Sequence, residues 1–136
     1  MFKKALIPLL ALVTTSANAF QFPVELIEYV GETRVVAFVP EHDLAQAGTW
    51  APFDSTPPLS ISDALSLVKT QIASEPKLAG ARLQTIDLAP IPNHDKQWHY
   101  VAKLATAHGD HHEDHFLLVL MNGQIISAMG EPDSIK

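Results

Sequence analysis

Phe116-Leu117-Leu118-Val119-Leu120-Met121-Asn122-Gly123-Gln124 is the stretch that decides the fold. Six apolar residues in a row leave no polar face, which predicts a central strand covered on both faces or nearly so. Asn122 and Gly123 both tolerate positive φ, so the pair predicts a hairpin turn into a second strand, Gln124 to Met129. Upstream, Trp98 to Leu104 alternates. Trp98, Tyr100, Ala102 and Leu104 fall on one face, and His99, Val101 and Lys103 on the other. Ala81 to Ala89 is a further strand whose alternation slips between Leu83 and Ile86, the mark of a bulge. Pro90, Pro92, Asn93 and Asp95 form the turn that follows it. Strands joined by turns this short run antiparallel.

Before this meander lies one strong helix signal. Ser60 is an N-cap and Asp63 its capping-box partner three residues on. Ile61, Ala64, Leu65, Val68 and Ile72 recur at helical spacing and predict one buried stripe. Pro76 disfavours helical geometry at Glu75, so the helix ends near Ala73 or Ser74. Earlier still, Val24 to Val30 and Thr33 to Val39 flank Gly31-Glu32, giving one long strand or a hairpin that stops at Pro40. Glu41 to Pro58 reads as a proline-rich loop with a short helical turn around Asp43 to Gln46. Its Trp50 and Phe53 are expected to pin it to the body. The fold class that follows is α+β: one helix packed on an antiparallel four- or five-stranded sheet, in two layers.

The N-terminus reads as an export signal. Lys3 and Lys4 precede an apolar run from Ala5 to Val13, and Ala17-Asn18-Ala19 supplies the small residues that signal peptidase accepts. Cleavage is expected after Ala19, leaving residues 20–136 as a single domain, periplasmic or secreted. The run is about half the roughly 20 residues a membrane span needs, so no stable anchor is expected after cleavage. The chain has no cysteine, which excludes disulfides and a lipidated cysteine. Without Lys3 and Lys4, seven basic residues face fifteen acidic ones, a formal charge of −8. Such a surface repels phosphate backbones and argues against nucleic acid as a partner.

The capped pattern Leu59-Ser60-x-x-Asp63-Ala64-Leu65, followed by a meander ending in an apolar strand and Asn122-Gly123, resembles the PepSY-like group of exported bacterial domains. The resemblance covers roughly residues 59–129. It implies a helix leaning on a curved antiparallel sheet and a binding or inhibitory habit, sometimes toward peptidases. It brings no catalytic residues.

The chain offers no catalytic set of its own. Its serines lie in no nucleophile elbow, and Gly80 and Gly123 belong to no phosphate-cradling loop. The chemically suggestive run is His108-Gly109-Asp110-His111-His112-Glu113-Asp114-His115, with four histidines and three carboxylates. Imidazole and carboxylate together suit Zn²⁺, Cu²⁺ or Ni²⁺, so His108, His111, His112 and His115 are candidate ligands on a loop between Leu104 and Phe116. A solvated acidic tip that keeps two apolar strands from aggregating explains the same composition. The expected function is an exported, non-enzymatic binding domain. It meets a protein or peptide through the sheet or the Glu41 to Pro58 loop, with metal binding at the histidine run as the alternative.

Overall fold

The computed structural model describes residues 22–30 and 33–130. The expected signal peptide (1–19), its cleavage site at Ala19, the Gly31-Glu32 turn and the Pro132-containing tail lie outside the described residues. In chain order the elements are β1 (Val24–Val30), β2 (Thr33–Val39), α1 (Glu41–Ala47), α2 (Ile61–Ser74), a 3-10 turn at Pro76–Leu78, β3 (Arg82–Ile91), β4 (His94–His108), β5 (His111–Leu120), β6 (Ile125–Ser127) and β7 (Met129–Gly130). The fold is α+β with two antiparallel sheets, ordered β1-β2-β7 and β3-β4-β5-β6.

Helix α2 begins as its cap predicts, with Ser60 Oγ accepting from the Asp63 N–H at 3.1 Å. It ends at Ser74, just before Pro76. Its buried face is rotated from the expected stripe. Ala64 and Val68 are buried and Leu67 and Ile72 pack beside them, whereas Ile61 and Leu65 are exposed. The small Ala64 allows the helix close to the sheet, where Leu67 lies over Gly123, and Ile61 and Leu65 roll outward. A Cβ on Gly123, at φ 89, would stand 3.3 Å from Leu67 Cδ1.

Two expected layers become three. On one face of β4 and β5, Tyr100, Ala102, Leu104, Leu117 and Val119 pack with Ala64 and Val68 of α2. On the other, Val101, Phe116, Leu118 and Leu120 meet Leu26, Ala37 and Val39 of the first sheet and Leu44 of α1. The unbroken apolar run of β5 needs two covers, and the β1-β2 hairpin is the second. The segment after β5 stitches the layers together. Residues Ile125–Ser127 pair with β5, the Ala128 N–H donates to the Phe116 carbonyl, and Met129–Gly130 pairs with β2. The expected strand Gln124 to Met129 is thus split between two sheets.

Two further details follow local chemistry. The β3-β4 register shifts between Leu83 and Thr85, the bulge that the slipped alternation predicts. The short turn expected around Asp43 to Gln46 is a longer helix, Glu41–Ala47, whose first turn is closed by the Leu44 N–H on the Pro40 carbonyl and whose Glu41 and Asp43 suit its positive end. Among the described residues no helix is long and apolar enough to cross a membrane.

Candidate functional site

Strands β4 and β5 outrun the layers that cover them. Their pairing continues without a break from His99↔Leu120 to His108↔His111, closed by a two-residue Gly109-Asp110 turn. The histidine run expected as a loop is therefore strand on both sides of a tight turn. Gly109 carries the turn's positive φ, 63°, at the first central position, where a type II′ turn calls for glycine. Residues 107–114 are all exposed.

Alternation sorts the four histidines. His108, His111 and His115 share the α2 side of the sheet with Glu113 and Thr106, while His112 and Asp114 share the opposite side with Ala105 and Ala107. His108 and His111 are direct cross-strand partners. His108 Nε2 lies 3.9 Å from Glu113 Oε2, and both side chains are 65% exposed. His115 is committed elsewhere, its Nε2 hydrogen-bonded at 2.9 Å to the buried Thr106 hydroxyl. His112 instead lines an open concavity of about 350 Å³ with Arg82 and Gln84. Among the described residues, no three histidine or carboxylate side chains are already gathered around one metal position.

A second candidate is the connection between α1 and α2. Trp50 is fixed three ways: its N–H donates to the Lys96 carbonyl at 2.9 Å, its indole Nε1 donates to Ser55 O at 3.2 Å, and its ring meets Trp98 edge-on at 5.3 Å. The far end is held by Tyr100, whose hydroxyl donates to Leu59 O at 2.6 Å. Burial raises the Tyr100 pKa above its ordinary 10.0, so the proton stays in place for that bond. Trp50 thus pins the segment as expected.

Phe53 does the opposite of what its hydrophobicity suggests. Ala51-Pro52-Phe53-Asp54 forms a turn closed by Asp54 N–H to Ala51 O. Pro52 sits at its second position and Phe53 at its third, with φ 74°. A positive φ there is the type II pattern, which glycine normally fills. The turn swings the phenyl ring away from the body, and the residue is fully exposed at 105% of its reference area. Proline at the second turn position is compatible with both type I and type II turns, so the sequence marks a turn here but not the positive φ of Phe53.

The one buried histidine lies between the sheets. His99 Nδ1 is 2.9 Å from the Ala89 carbonyl, which can only accept, so Nδ1 carries the proton. Nε2 is buried without a hydrogen-bond partner. Beside it is a gap of about 10 Å³, lined by Glu28, Val35, Val101 and Phe116 among others. That is room for one water at most. Comparison of the chain with protein-family models, with curated proteins and with solved structures finds no match.

Proposed function

We propose that this chain is an exported, non-enzymatic binding domain that presents Phe53 to an apolar pocket on a protein partner. The observation that carries the reading is the pairing of full exposure with a left-handed backbone at Phe53. A bulky residue at positive φ costs about 1–2 kcal/mol, and here no burial offsets it. Fold stability alone would favour glycine or asparagine at that position. An aromatic ring with only two rotatable side-chain bonds, held out by a pinned loop, loses little entropy on docking. Both ends of the loop are fixed to β4 by Trp50 and Tyr100, so the knob is already organised for contact. The N-terminal export signal and the PepSY-like pattern of residues 59–129 support the same reading, an exported domain that works by contact.

A crosslinking experiment tests it. A photoreactive amino acid placed at the neighbouring, exposed Asp54 is expected to capture one partner from a periplasmic extract. Phe53→Asn is expected to lose that partner while stability stays level or rises by up to about 1 kcal/mol, since asparagine tolerates positive φ. Recovery of the same partner with Phe53→Asn, or of none with either chain, overturns the proposal. Export has its own readout: the purified periplasmic product should begin at Phe20.

A further inference from the structure

We propose that His108, His111 and Glu113 form a binding site for a divalent cation of the zinc, copper and nickel class at the tip of the β4-β5 arm. The site is independent of the Phe53 reading. Composition alone would recruit all four histidines of the run, but the strand register does not allow it. His108 and His111 are opposed across the ladder, which sets their Cβ atoms about 5 Å apart on one face. Glu113 is two residues along β5 from His111, on that same face, and its carboxylate already stands 3.9 Å from the His108 ring. All three side chains are exposed, so rotation about their own bonds can bring two imidazole nitrogens and one carboxylate oxygen to a common point. The backbone need not move.

The neighbouring groups sharpen the set. His115 is on the correct face, but Thr106 holds its Nε2. His112 is on the wrong face, beside Ala107. Two nitrogens and one oxygen suit a borderline cation and suit Mg²⁺ or Ca²⁺ poorly, because those hard ions prefer oxygen alone. Three ligands leave a coordination position for water or for a group from another molecule. The chain's net negative charge raises the local concentration of cations around the arm. A bound ion bridges both strands at their open end, so it stabilises the paired register of the tip above any unpaired form.

Calorimetry on the untagged chain, with Zn²⁺ and Cu²⁺ as probes and Mg²⁺ as the control, tests the assignment. One site per chain is expected for Zn²⁺ and Cu²⁺, with none for Mg²⁺. His108→Ala, His111→Ala and Glu113→Gln should each weaken it by about tenfold or more, because each removes a ligand. His112→Ala and His115→Ala should leave the affinity within about twofold of the parent. Hydrogen exchange at the tip amides should slow on addition of Zn²⁺ in the parent and not in His111→Ala. If His112→Ala weakens binding as much as His111→Ala, binding follows composition and the proposal fails. It also fails if the parent binds no better than the variant lacking all four histidines.

Discussion

The two ends of the β4-β5 hairpin share one ladder and have opposite physics. At the base, His99 to Lys103 faces Phe116 to Leu120, with α2 on one side and the β1-β2 hairpin on the other. At the tip, Ala107 to Asp114 keeps the same pairing with neither face covered. Backbone hydrogen bonds are therefore common to both, and what differs is burial. A hydrogen bond contributes about 1 kcal/mol net, whereas burying a Leu or Phe side chain contributes about 1.5–3 kcal/mol. The base holds the fold, and the tip is carried by it. This explains how the chain can place histidines and carboxylates in a strand without endangering the core.

The largest expected effect comes from cutting into the base. Leu117 faces α2 and Leu118 faces the first sheet, each 2% exposed. Leu117→Ala and Leu118→Ala should each lower stability in urea by about 2–5 kcal/mol. His112→Ala at the tip should change it by no more than about 0.5 kcal/mol. The pair of leucines also tests the third layer. A mild Leu118→Ala beside a severe Leu117→Ala would mean that the β1-β2 hairpin does not bury the second face.

A middling effect, confined to the base, comes from His99. Desolvation by burial pushes its pKa below the ordinary 6.5, and the smaller raising effect of the Ala89 hydrogen bond does not compensate. The unfolded chain takes up a proton near pH 6.5, and the folded one resists it until lower pH. Stability from this group is thus full above about pH 6.5 and falls as the solution is acidified toward the folded pKa. The slope reaches at most about 1.4 kcal/mol per pH unit, one proton's worth. Glu28 is the carboxylate lining the same gap. Urea unfolding between about pH 7.5 and 5 should show the slope in the parent and its loss in His99→Leu. An unchanged slope in that variant would assign it to other groups.

Much of the base was legible in the sequence, and the reason is periodicity. The Ser60 cap, the Trp98 to Leu104 alternation and the Asn122-Gly123 turn are local signals, and each appears where it was read. The unbroken Phe116 to Met121 run even demanded two covers. What covers the second face was not legible, because the contact of Leu26 and Val39 with Leu118 joins residues far apart in the chain. The tip failed for a different reason. Strand period is counted on apolar residues, and His108 to His115 contains none, so a continuing ladder looked like a loop. Its turn signal, Gly109-Asp110, was there to be read. Hydrophobicity alone points Phe53 inward, and the left-handed turn that points it outward is not encoded by Pro52, which fits type I and type II turns alike.

The smallest expected effect asks whether base and tip open together. A Cβ on Gly109 would meet nothing within 4 Å, so Gly109→Ala carries no steric term from neighbours. What remains is the conformational penalty of alanine at φ 63°, about 1 kcal/mol. If the tip is only carried by the base, it can shed that strain by fraying. Amide exchange should then quicken at His108 and His111 and stay unchanged at Ala102 and Leu118, with global stability down by well under 1 kcal/mol. Were the tip part of the same cooperative unit, the full penalty would reach the base, and exchange at Ala102 and Leu118 would quicken in step. Uncovered strands have only their hydrogen bonds and turn to hold them, so the first outcome is the one that burial predicts.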